Sequence, residues 1–165
     1  MRDSVHGART AALAALAALA VGAPCSAASV QITGLTDVAF TGLDPLVDAT
    51  RAQNVCVFSN TLLHGYNVTA RGSGAASAFT LSAGGSVPTL PYTVQWSQSS
   101  GSSAGTALAV GTPLTGQKST ATSTTCHSGP STSASLIVIL HTADLQAALA
   151  GVSYTGTLSL TIAPE

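Results

Sequence analysis

The chain has 165 residues, of which only 7% are charged and 45% are hydrophobic, and its formal net charge is −1. The charged fraction is far below the roughly 25% of ordinary soluble domains. Its few cations cannot form the clustered basic face that neutralises phosphates, which excludes nucleic acid as a partner.

The N-terminus reads as a signal peptide. Arg2 and Arg9 precede a small-apolar run from Ala11 to Val21, and Gly22 to Ala28 supplies small residues for cleavage. Cleavage is expected after Ala28 or after Ala27. The run is shorter than the roughly 20 residues that cross a bilayer, and no later stretch is apolar for long enough. Pro24, directly before Cys25, argues against lipid attachment there. Residues 29–165 then form one domain, carrying Arg51, Arg71 and Lys118 against Asp37, Asp44, Asp48, Asp144 and Glu165. No membrane span is expected after processing. Cys25 leaves with the signal, so Cys56 and Cys126 are expected to form one disulfide, as suits an exported protein. A Cys/His metal site is the weaker alternative. Only His127 neighbours a cysteine, and no paired-ligand spacing is present.

Short strands separated by turn residues fill the domain. From Ser29 to Phe40, residues Val30, Ile32, Gly34, Thr36, Val38 and Phe40 share one parity, as one strand or two short ones. Gly42-Leu-Asp-Pro45 has turn chemistry. Asn54 to Phe58 is apolar on both faces, as a strand deep in a sandwich would be. Tyr66, Val68 and Ala70 continue the pattern until Gly72-Ser-Gly74 ends it. Phe79 to Leu81 begins another strand, closed by the turn at Ala83-Gly-Gly85. Leu90 to Ser97 puts Tyr92, Val94 and Trp96 on one face, with Pro91 tolerated at a strand start or an edge. Ser99 to Gly105 is a polar loop, Ala107 to Val110 a short strand, and Gly116 to Ser133 a long Ser/Thr-rich connection pinned by Cys126.

Leu136 to Leu140 reads as a strand buried on both sides. A helix is predicted over Ala143–Ala150, capped by Thr142, with Asp144 complementing its N-terminus and Gly151 ending it. The final stretch alternates strictly. Leu158, Leu160 and Ile162 share one face, Thr157, Ser159 and Thr161 the other, so a half-buried strand is predicted. If it lies at a sheet edge, its unpaired backbone can recruit another chain. These elements predict an all-β fold, an antiparallel immunoglobulin-like sandwich with one short helix.

No catalytic centre is legible. His64, His127, His141 and Asp144 are the only candidates for a catalytic or metal site, and capping accounts for Asp144. Asp44 and Asp48 flank a proline turn rather than a cleft built for glycoside cleavage. Tyr92 and Trp96 suit a core better than a sugar platform. Asn67-Val-Thr69 matches a glycosylation acceptor but falls in a predicted strand. The expectation is a non-enzyme without cofactors.

Val38-Ala-Phe-Thr-Gly-Leu-Asp-Pro45, Val55-Cys-Val57, Tyr66 to Gly72, Leu90-Pro-Tyr-Thr-Val94 and Gly151 to Leu158 resemble the spore coat protein U-like domain, a family similar to archaic chaperone–usher pilins. One departure is that Cys25 falls before the cleavage site, where family members often carry a cysteine just inside the mature chain. The resemblance implies a sandwich lacking its final strand, completed first by a periplasmic chaperone and then, after passage through an outer-membrane usher, by the N-terminal segment of another copy or a related subunit. It implies export through the periplasm to a surface fibre. Val30, Ile32 and Gly34 are the expected donor-strand residues, although the same segment can be the domain's own first strand. Leu158, Leu160 and Ile162 are the expected partner-facing residues. The alternative is a stand-alone secreted binding module, for example one for carbohydrate.

Overall fold

A computed structural model describes residues 27–165. The signal peptide expected over residues 1–28, with Cys25, lies outside the described residues except for Ala27 and Ala28, which are exposed.

The strands are β1 (Val30–Thr33), β2 (Ala49–Ser59), β3 (Gly65–Gly72), β4 (Thr80–Leu81), β5 (Leu90–Pro91), β6 (Thr93–Ser97), β7 (Thr106–Ala107), β8 (Leu114–Lys118), β9 (Ala134–Leu140) and β10 (Leu158–Pro164); among the described residues one α-helix, α1 (Thr142–Ala147), precedes β10, and a 3-10 turn spans Ala75–Ser77. The fold is an antiparallel all-β sandwich, as expected. One sheet has the order β1-β2-β9-β6-β7, the facing sheet β10-β3-β8, and β4 and β5 form a small ribbon. Inward residues of both sheets make the core. Val55 and Val57 of β2, Tyr66, Val68 and Ala70 of β3, Val94 and Trp96 of β6, and Leu136, Val138 and Leu140 of β9 are all buried in one cluster. The predicted aromatic row is interior. Trp96 meets Tyr66 edge-on with ring centroids 6.4 Å apart, and its indole N–H donates to the Tyr66 hydroxyl at 3.2 Å.

The Cys56–Cys126 disulfide is formed, with Cα atoms 5.8 Å apart and a sequence separation of 70. It explains why β2 is apolar on both faces. Val55 and Val57 point into the core, while Cys56 and Phe58 pack outward against Ala121 and Cys126 of the long connection. In the chain-entropy model, closing a loop of this length stabilises by up to about 4 kcal/mol.

Three expectations need correction. β8, paired with β3, runs into the start of the stretch read as a long Ser/Thr-rich connection and takes in its residues Gly116 to Lys118. The short strand expected over Ala107–Val110 is reduced to Thr106–Ala107 plus an isolated bridge from Val110 to Ala70. The helix is shorter than predicted, starting at Thr142 and closing at Ala148, with His141 rather than Thr142 in the N-cap position. Asp48, brought from far away in sequence, accepts from the Thr142 N–H at 2.7 Å and from its hydroxyl at 2.8 Å. A local cap was therefore unnecessary. Gly151, at φ +74, bends the chain after the helix has ended.

Candidate functional site

The two sheets do not end together on one side of the sandwich. β10 is the outermost strand of its sheet, pairing only with β3, from Leu158 opposite Gly72 to Pro164 opposite Tyr66. Its other edge carries unpaired backbone groups, the configuration that accepts an added strand. The predicted parity holds. Leu158, Leu160 and Ile162 are half-buried and packed against the core, while Ser159 and Thr161 are exposed.

Beside that edge lies a groove of about 690 Å³. Leu136, Val138 and Leu140 of β9 form its floor with Leu90 and Tyr92, so the floor is the core itself. Leu158 and Leu160 make one wall, and Val38 and Phe40 the other. Tyr92 lies here with its phenol pKa raised by burial. The groove opens because β1 stops early. Val30 to Thr33 pair with Ser59 to Cys56, and β1 lies alongside β10 at that end. At Gly34, φ is +84 and the chain turns away. A Cβ there would make only ordinary contacts, so the glycine is required by its backbone angle and not by lack of room.

The segment that follows is a strap without ladder bonds, held by side chains. Gln53 accepts from the Thr36 N–H at 2.9 Å and donates to its carbonyl at 3.3 Å; Arg51 donates to the Ala39 carbonyl at 3.4 Å and lies over the Phe40 ring, 5.7 Å from its centroid.

Of the expected site residues, Leu158 and Leu160 line the groove, whereas Val30, Ile32, Gly34 and Ile162 lie outside its lining. Val30 and Ile32 are half-buried on β1, and Gly34 is the hinge after it. In the single chain Val30–Thr33 serves as the domain's own first strand. Trp96 is 1% exposed and cannot form a sugar platform.

Sequence reasoning missed a second constellation. His141 was considered with Asp144, yet it bonds Asp48 through Nδ1 at 3.0 Å and the Thr93 hydroxyl through Nε2 at 2.9 Å. Carboxylate, imidazole and hydroxyl stand in the order used for nucleophilic catalysis. Thr93, however, belongs to the polar parity of β6, opposite to the Tyr92 and Val94 face that meets the groove and core. The arrangement ties the starts of β2, β6 and α1 together. Asp48 and His141 are separated by 93 positions, so no local pattern announces it. His64 takes φ +54 in the β2–β3 turn, its Nδ1 donating to the Ser59 carbonyl at 2.9 Å. Among the described residues, no three His, Cys, Asp or Glu side chains converge as metal ligands, and no helix is long and apolar enough to cross a membrane.

No family model and no curated protein matches this chain.

Proposed function

We propose that this chain is an exported structural subunit of a chaperone–usher type surface fibre, assembled by strand donation. The observation that carries the reading is the free edge of β10 beside a groove floored by core residues. A sandwich with a complete second sheet would cover that floor. An extended segment laid along β10 would satisfy its unpaired backbone groups and bury alternate side chains against Leu136, Val138 and Leu140. A periplasmic chaperone would supply that segment first and another copy of the chain next, with an outer-membrane usher making the exchange. The role is structural rather than catalytic.

The donor in this reading is Ser29 to Thr36. Its apolar residues Val30 and Ile32 are only half-buried at home, and four register pairs hold β1 to β2. Donation exchanges those contacts for equivalent ones in a neighbour's groove. A chain lacking Ser29 to Gly34 is expected to bind its chaperone and fail to polymerise, measured by co-purification and by electron microscopy of surface fibres. Normal polymers from the deletion would remove the donor role.

A further inference from the structure

Large apolar side chains reach solvent at both ends of this sandwich. Leu62 and Leu63 stand at one end, 95% and 70% exposed, in the turn between β2 and β3. Leu43, Leu46, Val47, Leu149 and Val152 lie at the other. The register fixes these positions. Ala49 at the start of β2 pairs with Leu140 at the end of β9, so the segment before β2 and the segment after α1 share an end; the turn after Ser59 is at the opposite one.

The two ends differ in shape. Leu62 and Leu63 project from a turn whose backbone is fixed. The Gly65 carbonyl accepts from the hydroxyls of Ser59 at 2.8 Å and Thr61 at 3.2 Å, and the His64 N–H donates to the Thr61 carbonyl at 3.0 Å. A knob already held in place loses little freedom on docking. The opposite end is concave. A hollow of about 530 Å³ is lined by Leu43, Leu90, Leu145, Leu149, Val152 and Tyr154, and it shares four of these residues with the groove beside β10.

Charge fits the same pairing. Lys118 stands opposite Gly65 beside the knob and has no ion pair among the described residues. Asp44 stands beside Leu43 at the hollow, its carboxylate accepting from the Leu46 N–H. Glu165 also lies at the knob end, its carboxylate taken by the Gly116 N–H at 2.7 Å.

We infer that the Leu62–Leu63 knob of one copy seats in the Leu43–Leu149–Val152 hollow of the next, with Lys118 beside Asp44. The inference rests on the fibre reading. The donor segment is rooted at Gly34 and Thr36, beside Gln53, and runs from there toward the knob end, where Val30 pairs with Ser59 and the Ala27 carbonyl accepts from Asn60, so its N-terminal side points out of the body at that end. A strand passed from there into a neighbour's groove carries the knob to the hollow at the groove's mouth. A knob and a hollow on opposite ends make a heterologous contact, which extends into a line rather than closing as a dimer.

The test is a crosslink between exported chains carrying Leu62→Cys and exported chains carrying Leu149→Cys. Their internal Cys56–Cys126 bond joins no chains, so a reductant-sensitive dimer on a denaturing gel reports the proposed contact. Pairing Leu62→Cys with Thr115→Cys, on the exposed side of β8, is the control expected to give none. Both knob leucines are exposed, so Leu62→Ser with Leu63→Ser should fold with an unchanged melting temperature. It should lower polymer yield by about tenfold or more, as the loss of two buried leucines implies. Polymers with neither the 62–149 crosslink nor a loss in the serine variant would overturn the docking and leave strand donation standing. A wild-type chain that stays monomeric with its chaperone and usher present would remove the fibre reading and this inference together.

Discussion

Asp48 is exposed, yet its carboxylate organises the end of the molecule where α1 begins. Its pKa is lowered from 3.8 to about 2, chiefly by the Thr142 backbone N–H, then by the Thr142 hydroxyl and His141. The folded value lies below the unfolded one, so the contribution is complete above pH 3.8 and is lost as pH falls toward 2. Asp48→Asn is therefore expected to lower the melting temperature at pH 7 and to make little difference at pH 2. Thermal unfolding of both proteins across that range measures it, and an offset independent of pH would show that the charge is irrelevant. Tyr66 poses the opposite problem, because it is buried. Burial raises its phenol pKa above 10.0, with the Trp96 bond acting the other way. Stability from the neutral phenol is thus held below pH 10 and declines above it. Tyr66→Phe leaves the Trp96 indole N–H without its acceptor in the core, at a cost of about 1–3 kcal/mol. Urea unfolding should show a lower midpoint with an unchanged slope.

At the scale of elements, β10 makes the sharpest test because its two faces differ by one residue. Leu160 sits opposite Ala70 with its side chain toward the core, and Ser159 is exposed. Leu160→Asp should bury a carboxylate without a partner, a cost of several kcal/mol, whereas Ser159→Asp places the same charge in water. If the proposed chaperone pairs with this edge, only the first should lose that complex on co-purification; equal losses would mean that the face assignment is wrong. This parity was legible in the sequence because Leu158, Leu160 and Ile162 alternate strictly with hydroxyl residues. So were β3, whose Tyr66, Val68 and Ala70 keep the same period, β9, whose unbroken run from Leu136 to Leu140 marks a strand buried on both faces, and the disulfide, since Cys56 and Cys126 are the only cysteines after the expected signal. β8 was not legible. Leu114-Thr-Gly-Gln-Lys118 carries one apolar residue, and its place is set by pairing with β3 rather than by its own pattern. The cap of α1 was hidden for a similar reason, because Asp48 reaches Thr142 across 94 positions. The groove is a property of two sheet edges, and no run of residues encodes the distance between them.

For the whole molecule, strand donation as proposed would make stability depend on what occupies the groove. A ligand that binds only the folded chain stabilises it by mass action, by about 2.7 kcal/mol at a hundred times its dissociation constant. A peptide with the sequence of residues 29–36 should therefore raise the melting temperature of the intact chain, and increasingly so with peptide concentration. The intact chain is the right material, because its own β1 already covers β2 from Cys56 to Ser59, while among the described residues no strand pairs with the β10 edge beside the groove. Replacing the peptide's counterparts of Val30 and Ile32 with aspartate should abolish the effect, since the groove floor of Leu136, Val138 and Leu140 offers those charges no partner. Hydrogen exchange locates the event. Along an edge strand, alternate amides point away from the partner strand and exchange freely, and a strand laid against β10 must protect those between Leu158 and Ala163. Stabilisation accompanied by protection on β10 would establish the groove as a strand acceptor. Stabilisation with protection confined to β2 would instead mean that the peptide had displaced β1, and the gap beside β10 would then have no part in assembly.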